Sequence, residues 1–165
     1  MHGHYPPSPL NMTVRALPIC PPTLTLVPEA TVAEAMSMMI QREVNHIPLC
    51  TTDGRFAGLI SSNAILRALL PASSRVEHGV ENLNFLGDAM PMLLDHLRDN
   101  ADRPVRDLAD KDVTAVRQDT HLLEAAHHLS RTTSPLPVIG DDGKLLGMLS
   151  RRMLLTYLLD KARTA

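Results

Sequence analysis

The sequence predicts an α/β fold in which a β-α-β-β-α unit occurs twice, with a helical insert between the two copies. Landmarks of the first half return in the same order in the second half. Short apolar strands alternate with amphipathic helices in both halves. Hydrophobic residues make up 44% of the 165 residues, which is enough for a globular core.

The repeat is visible as pairs of short matching segments. Glu34-Ala35 matches Glu124-Ala125 at a spacing of 90 residues. The later landmarks share a spacing of 89 residues: Ile47-Pro48-Leu49 with Leu136-Pro137-Val138, Asp53-Gly54 with Asp142-Gly143, and Gly58-Leu59-Ile60-Ser61 with Gly147-Met148-Leu149-Ser150. The segments that lead into the repeats also correspond, Val14 to Leu17 with Val105 to Leu108. Each half therefore predicts the same series of elements.

The first repeat begins with a predicted strand, Leu24 to Val27, followed by a helix. Thr31 and Glu34 form a capping box, which satisfies backbone amides at the start of that helix. Helical spacing predicts one apolar face that consists of Val32, Ala35, Met36, Met39 and Ile40.

A hairpin and a closing helix complete the first repeat. Strands His46 to Cys50 and Phe56 to Ile60 flank a turn at Asp53-Gly54. Ser61 or Ser62 can cap the closing helix, which Pro71 ends. The inward face of this helix is predicted to consist of Ile65, Leu66, Leu69 and Leu70.

The second repeat predicts the same elements. They are a strand from Val113 to Val116, a helix from about His121 to Arg131 with the face Leu122, Ala125, Ala126 and Leu129, hairpin strands Leu136 to Ile139 and Leu145 to Leu149, and a closing helix from about Arg151 to Lys161.

The chain therefore divides into an N-terminal tail (1–11), a first repeat (12–71), a linker with a helix (72–103) and a second repeat (104–165). The linker predicts a loop through Asn84 and then a helix that Asp88 caps, with Pro91 in its first turn. Its apolar stripe is Met90, Leu93, Leu94 and Leu97. Core packing and a dimer contact are both open interpretations of this stripe.

The β-α-β-β-α unit, the proline in the middle strand and the Gly-apolar-apolar-Ser end of the last strand resemble the cystathionine-β-synthase (CBS) domain. Two such units in one chain resemble a Bateman module. The resemblance implies repeats packed about a pseudo-two-fold axis through their small sheets, with clefts that bind adenosine-containing ligands such as AMP, ADP, ATP or S-adenosylmethionine. It also implies a homodimer and control of an attached or separate protein.

The family often places Thr/Ser-x-x-Asp at the start of the closing helix, where the hydroxyl lies near phosphate and the Asp binds the ribose. Ser61 and Ser150 match the hydroxyl position. Ala64 and Met153 occupy the Asp position, and neither can accept a hydrogen bond. Asn63 lies one residue early, which turns its side chain by about 100° on a helix.

The resemblance further implies cleft linings on the first and middle strands. These residues are Leu24, Thr25, Thr114, Ala115, His46, Ile47, Pro48, Pro135, Leu136 and Pro137. Core filling is the competing interpretation for each of them. Arg151 and Arg152 follow Ser150, where Arg opposes the helix dipole unless an anion is near. Our hypothesis is therefore that the second repeat holds the better anionic site, although two solvated arginines would give the same pattern.

Other classes of function lack support in the sequence. The net charge of −2 and the scarcity of aromatic residues, two Phe and two Tyr without Trp, argue against nucleic acid and anionic membranes. No apolar run has the length of a membrane helix, and Met1 to Leu10 is no signal peptide, so the cytoplasm is expected. Cys20 and Cys50 are expected to be buried reduced thiols.

Metal and catalytic sites are not indicated either. His121, Glu124 and His128 can share a helix face, but a zinc site needs three or four convergent ligands, so a solvated face is expected. His2 and His4 lie in the tail. No nucleophile elbow, phosphate-binding glycine loop or dinucleotide fingerprint occurs. We therefore expect no enzyme, but a sensor that binds an adenine nucleotide or, alternatively, a ligand-free scaffold for dimerisation or partner docking.

Overall fold

The computed structural model describes residues 12–71 and 90–164. In chain order the helices and strands are α1 (Val32–Arg42), β1 (His46–Cys50), β2 (Phe56–Ser61), α2 (Ser62–Leu69), α3 (Met90–Ala101), α4 (Leu122–Ser130), β3 (Leu136–Ile139), β4 (Leu145–Leu149) and α5 (Arg151–Thr164). Short 3-10 helices at Val14–Ala16 and Val105–Asp107 precede the two repeats. The predicted α/β class is confirmed, and the helices and hairpin strands follow one another in the predicted order.

Each repeat contributes one two-stranded sheet, β1 with β2 and β3 with β4. Strands β3 and β4 are antiparallel, with Leu136 opposite Leu149 and Val138 opposite Gly147. The turns before β2 and β4 contain Gly54 and Gly143, whose φ angles are +89° and +81°. Glycine adopts such positive φ angles without the steric cost that a Cβ atom brings. The two Asp-Gly signals therefore predicted both hairpins correctly.

The predicted capping box is present at the start of α1. The Glu34 amide donates to Thr31 Oγ1 at 3.1 Å, and the Thr31 amide donates to Glu34 Oε2 at 3.2 Å. Helix α2 begins after Ser61, whose Oγ accepts a hydrogen bond from the Ala64 amide at 3.1 Å. Ser61 is thus the cap, and Ser62 is the first residue of the helix.

The two predicted first strands are reduced to single-residue bridges. Leu26 pairs in parallel with Leu49, and Val116 pairs in parallel with Val138. The chain turns one residue later in each case, because the Ala30 amide donates to the Val27 carbonyl and the Thr120 amide donates to the Arg117 carbonyl. Pairing cannot continue toward Leu24 and Thr114 either, because Pro48 and Pro137, the next positions on the middle strands, have no N–H to donate.

Several residues predicted to face inward are exposed. Ile40 is 75% exposed and Leu66 is 57% exposed, and Leu70 is exposed as well. Met90 and Leu94, from the α3 stripe with two open interpretations, are also exposed. Helices α1 and α2 are buried along narrower stripes than predicted, centred on Val32, Ala35 and Met39 and on Ile65. Asp88, the predicted cap of α3, and the loop before it lie outside the described residues.

Contacts divide the chain into two units that cross the repeat boundaries. Unit 1 contains residues 12–23, 52–56 and 113–164, and unit 2 contains 24–51, 57–71 and 90–112. The core of unit 1 consists of Val14, Leu17, Val116, Ala125, Leu129, Leu136, Val138, Leu149 and Leu154. The core of unit 2 consists of Ala30, Val32, Ala35, Met39, Ile47, Leu49, Ile60, Ile65 and Val105. Each core therefore takes apolar side chains from the segment that leads into the other repeat.

These leading segments, residues 14–20 and 105–110, run against the last strand of the other repeat's hairpin. A Cβ atom on Gly147 would lie 2.4 Å from the Cys20 carbonyl oxygen and 2.7 Å from Ile19 Cγ2. A Cβ atom on Gly58 would lie 3.1 Å from the Asp110 carbonyl oxygen. Leu59 also exchanges both backbone hydrogen bonds with Asp110. The first residue of the Gly-apolar-apolar-Ser motif is therefore glycine because another backbone passes close to it.

The two cysteines differ in environment. Cys50 is buried at the end of β1, and burial raises the pKa of its thiol, so the thiol stays protonated and unreactive at neutral pH. Cys20 is exposed, so its predicted burial was wrong. The apolar residues and prolines around Cys20 suggested a core segment, but at this position it is the backbone carbonyl that lies close to Gly147, while the side chain is exposed. Within residues 12–71 and 90–164, no helix has the length and hydropathy needed to cross a bilayer.

Because the Cys20 carbonyl lies so close to Gly147, even a methyl side chain at this position should destabilise the fold. We expect Gly147→Ala to lower the free energy of unfolding by about 3 kcal/mol, because the added methyl group must displace a backbone carbonyl. Gly140→Ala is the control, since its Cβ would lie 3.1 Å from the Asp142 carboxylate, which is a side chain that can move. The control should cost less than about 1 kcal/mol. Urea unfolding followed by circular dichroism measures both, and equal costs would contradict this explanation.

Candidate functional site

In unit 2 the candidate site is the corner where β2 ends and α2 begins. Ser61 caps α2 and leaves its own O–H able to donate to a further group. The Ser62 amide donates to the Asn45 carbonyl at 2.9 Å, which fixes the first turn of the helix against the residue before β1. The start of α2 is therefore held rigidly beside β1, with the amide and dipole character that favours an anion.

Unit 1 contains the equivalent corner between β4 and α5. The Met153 amide donates to Ser150 Oγ at 3.2 Å, and the Leu154 amide donates to the Ser150 carbonyl at 3.3 Å. Both predicted serines therefore hold the same structural position, as caps of the closing helices. This similarity shows that the sequence repeat extends to individual hydrogen bonds.

Ala64 and Met153, at the positions where the resemblance implies a ribose-binding Asp, are partly buried against the two cores. Ala64 packs against the core of unit 2, and Met153 packs against the core of unit 1. Both are intermediate in exposure, whereas Asn63 is exposed. The side chains at the Asp positions are therefore apolar packing groups, and Asn63 points away from that packing.

The middle strands supply core residues and one more accessible residue each. Ile47 and Leu136 are 0% and 1% exposed and belong to the two cores, which supports the core-filling interpretation of their side chains. Pro48 and Pro137 are buried as well. His46 and Pro135, which come before them, are partly exposed. The side chains of Ile47, Pro48, Leu136 and Pro137 could contact a ligand only after the packing around them changes.

The residues predicted on the first strands are more accessible. Thr25, Thr114 and Ala115 are exposed and Leu24 is half-buried. Backbone hydrogen bonds attach these segments to the middle strands, since the Leu26 amide donates to the Pro48 carbonyl at 3.2 Å and the Val116 amide donates to the Pro137 carbonyl at 2.9 Å. Each unit thus brings together its own first strand and middle strand, and the assignment of these residues to a ligand stays a prediction.

Arg151 has a structural role that sequence reasoning missed. Its guanidinium donates to the Leu129 carbonyl at 2.9 Å and to the Thr133 carbonyl at 3.4 Å. Leu129 lies in the last turn of α4, where unpaired carbonyls and the negative end of the dipole favour a cation. An Arg at the start of α5 is thereby explained without an anion. The pairing spans 22 residues, so no local pattern in the sequence indicates it.

Arg152, the second arginine of this corner, is more accessible. Its side chain is exposed, and no described residue forms a hydrogen bond or ion pair with its guanidinium. Its carbonyl accepts a hydrogen bond from Thr156 within α5. Arg152 is therefore the more available of the two predicted arginines for an anionic ligand.

The predicted histidine face on α4 forms one weak pair. His128 Nε2 lies 3.6 Å from Glu124 Oε1, one helical turn apart. Across the two described stretches of the chain, no three His, Cys, Asp or Glu side chains are placed to hold a metal ion together. His2 and His4 lie outside the described residues.

A family model of the CBS domain matches residues 14–71 and 105–160, which is more than half of the chain. The chain is 28% identical over 127 residues to a homoserine O-acetyltransferase of Methanohalophilus mahii, and the match covers 76% of this chain but 20% of that protein. It is also 28% identical over 130 residues to the chloroplastic CBS domain-containing protein CBSX1 of Arabidopsis thaliana, with 75% of this chain and 54% of that protein covered. The chain thus spans about a fifth and about half of these relatives.

Solved structures share the fold over nearly the whole chain. The CBS-pair protein CBSX2 from Arabidopsis thaliana is 25% identical with a TM-score of 0.71, and the match covers 93% of this chain and 99% of CBSX2. CBSX2 in complex with AMP is 24% identical with a TM-score of 0.66, over 92% and 99% of the two chains. The CBS pair of protein MJ0100 with 5′-methylthioadenosine and S-adenosyl-L-methionine is 18% identical with a TM-score of 0.59, over 91% and 97%.

The contacts of Arg151 predict that this arginine stabilises the fold. We expect Arg151→Ala to lower the free energy of unfolding by about 1 kcal/mol, since a charged donor is removed from carbonyls at the end of α4. Arg152→Ala is the matched control and should stay within about 0.5 kcal/mol of the wild type. Chemical denaturation of the three proteins measures the difference. If both variants were equally stable, the guanidinium contacts of Arg151 would not contribute to stability.

Proposed function

This chain belongs to the CBS domain family as a tandem CBS pair, and on that basis we propose that it is a non-catalytic regulatory module that binds an adenine nucleotide or related adenosyl ligand. Binding would signal through a change of conformation or assembly to a separate regulated protein. A sensor of this kind requires two states that the ligand binds with different affinity. AMP, ADP, ATP and S-adenosylmethionine are the ligands that we propose to test.

One observation carries the proposal. Each unit holds a serine-capped helix N-terminus directly beside a strand end, at Ser61 and at Ser150. A helix start offers backbone amides and a favourable dipole to a phosphate. CBSX2 has been solved with AMP, and it shares this fold over 92% of the present chain. The serine corners therefore support a phosphate contact.

A second candidate function follows from Ala64 and Met153. Neither replaces the carboxylate as a ribose acceptor, since Ala64 has no acceptor and the Met153 sulfur is a weak one, and both side chains pack against a core. Loss of a hydrogen bond to a charged group costs about 1.5–3 kcal/mol, or roughly ten- to a hundredfold in affinity. This loss favours the alternative that the pair binds no nucleotide and acts as a scaffold for dimerisation or partner docking.

If a nucleotide binds, we place its phosphate at the second repeat. Ser150 caps α5 there, and the exposed Arg152 has no described partner. Arg recognises phosphate through two parallel hydrogen bonds, which Lys cannot form. The first repeat has Asn63 at the equivalent of Arg152 and therefore lacks this charge.

The sensor and the scaffold differ in their response to ligand. We expect one of AMP, ADP, ATP, S-adenosylmethionine or NAD, at about a hundred times its dissociation constant, to stabilise the protein by about 2.7 kcal/mol. The melting temperature should then rise by roughly 5–10 °C for a protein of this size. Differential scanning fluorimetry and calorimetry measure the effect. Unchanged melting with every compound would favour the scaffold.

A carboxylate restored at the family position provides the matched comparison. Ala64→Asp should tighten the binding of an adenosyl ligand at the first repeat at least tenfold, because the ribose regains an acceptor. Asn63→Asp introduces the same charge one residue earlier and should have a smaller effect, since the side chain points about 100° away. If Ala64→Asp leaves the affinity of a folded protein unchanged, ribose recognition at this corner is contradicted.

We also propose that the chain forms a homodimer through its closing helices. Leu66 of α2 and Leu155 of α5 occupy equivalent repeat positions and are 57% and 65% exposed. Leu70 and Leu159 are a second exposed equivalent pair. Leu66 also lines an apolar groove of about 270 Å³ with Met36 of α1. Large apolar side chains exposed at the same positions of both repeats suggest that a second copy covers the exposed face of each closing helix.

Charges on α5 should weaken this dimer. The wild type should sediment at about twice the chain mass of 18.1 kDa, and the double variant Leu155→Glu, Leu159→Glu should raise the dissociation constant at least a hundredfold, because each leucine loses about 1.5 kcal/mol or more of burial. Asp160→Lys, a change of charge at an exposed position at least about 100° around α5 from both leucines, is the control and should remain dimeric. Analytical ultracentrifugation measures all three, and a monomeric wild type would contradict the proposal.

A further inference from the structure

Unit 2 contains a pocket whose lining includes no residue of either serine corner. Its volume is about 300 Å³, and its lining is Ala68 of α2, His96 and Asn100 of α3, Arg103 and Leu108. This volume lies at the lower end of the range typical of small-molecule sites. The pocket combines one cationic and two other polar side chains with two apolar residues. Most of its polar lining comes from α3, the helix between the repeats, and not from the repeats themselves.

The polar residues of the pocket are fixed by a chain of hydrogen bonds. His96 Nδ1 lies 2.8 Å from the Leu69 carbonyl oxygen. Since a carbonyl can only accept, Nδ1 carries the hydrogen, which leaves Nε2 as the other ring nitrogen. Asn100 Nδ2 donates to the His96 carbonyl at 2.7 Å. The ring and the amide are therefore held in place before any ligand arrives.

Asn100 in turn positions Arg103. Asn100 is 9% exposed and is the one buried polar residue of the described chain. Its Oδ1 accepts a hydrogen bond from Arg103 Nη1 at 2.7 Å, so both ends of the buried amide are used. A buried amide with both ends satisfied is a stable anchor, because loss of either partner would leave a polar atom without a hydrogen bond. The hydrogen bond from Arg103 Nη1 to Asn100 Oδ1 therefore orients the guanidinium.

Arg103 keeps donors for a further partner. Its Nη2 lies 3.5 Å from Asp107 Oδ2, and the two side chains are 46% and 40% exposed. An ion pair of this length and exposure is weak. A guanidinium has five N–H groups, and the contacts to Asn100 and Asp107 occupy two of them. A second carboxylate could therefore bind in the geometry that Arg favours, in competition with Asp107.

We propose that this pocket binds a small organic carboxylate with a short apolar body. Arg103 binds the carboxylate, and Ala68 and Leu108 contact the apolar body. The apolar half of the lining favours such a molecule over inorganic phosphate, which would leave Ala68 and Leu108 facing a hydrated anion. The site is independent of the proposed nucleotide corners, since none of its lining residues belongs to them.

Two-dimensional NMR on the full chain tests the proposal with acetate, butyrate, benzoate and inorganic phosphate as probes. We expect saturable shifts of the Asn100 side-chain amide and of the Ala68 and Leu108 amides with butyrate or benzoate, and weaker binding of acetate and phosphate. Arg103→Gln should weaken the binding at least tenfold. Arg98→Gln is the matched control on α3, since Arg98 pairs with the exposed Asp95 and should leave the affinity unchanged.

Two further variants are expected to change the affinity of the pocket in opposite directions. Asp107→Asn removes the competing carboxylate and should tighten binding severalfold. Ala68→Leu fills the pocket without removal of a hydrogen-bonding side chain and should abolish binding in a protein that still melts cooperatively. The proposal is overturned if no probe gives saturable shifts, if phosphate alone binds, or if Asp107→Asn and Ala68→Leu both leave the affinity unchanged.

Discussion

The structure depends on two places where one backbone passes directly over another. At Gly147 the leading segment of the first repeat crosses β4, and at Gly58 the leading segment of the second repeat crosses β2. A side chain at either glycine would separate the two layers. The crossing brings Val14 and Leu17 into one core and Val105 into the other, so each core requires residues from both repeats. Backbone proximity at two residues thus allows the repeats to exchange apolar segments.

The same crossings determine where the candidate corners lie. Each glycine comes three residues before the serine that caps the closing helix, so the strand end and the helix start are fixed together. The position of α5 is reinforced by Arg151, which reaches back to the carboxyl end of α4. The corners are therefore rigid because of contacts made for the fold. The pocket beside Arg103 has a different origin, since α3 and its buried Asn100 create it.

Signals that act over a few residues were sufficient to predict most of the elements. The Thr31–Glu34 capping box, both Asp-Gly turns and the bounds of β1, β3 and β4 follow from short patterns and are present in the structure. The predictions were wrong where contacts between residues far apart in the chain determine which side chains are buried. Ile40 and Leu66 have helical spacing but lie beyond the edge of the buried stripe. The partners of Arg151, the exposure of Cys20 and the exchange of leading segments depend on residues far apart in the chain, which a pattern of one sequence does not encode.

The exchange of leading segments also has a consequence for the order of folding during synthesis. The described residues of unit 2 lie between 24 and 112, without 52–56, so its core can close once the segment around Val105 has been made and before the rest of the second repeat follows. Val14 and Leu17 are synthesised before unit 2, but their partners are synthesised after it, since the Val14 amide bonds to the Thr120 carbonyl and the core around it includes Leu149 and Leu154. Contacts at such sequence separation form slowly. An apolar segment that is synthesised before unit 2 is thus buried after it, and the segment remains open to chaperones or to another copy of the chain in the interval.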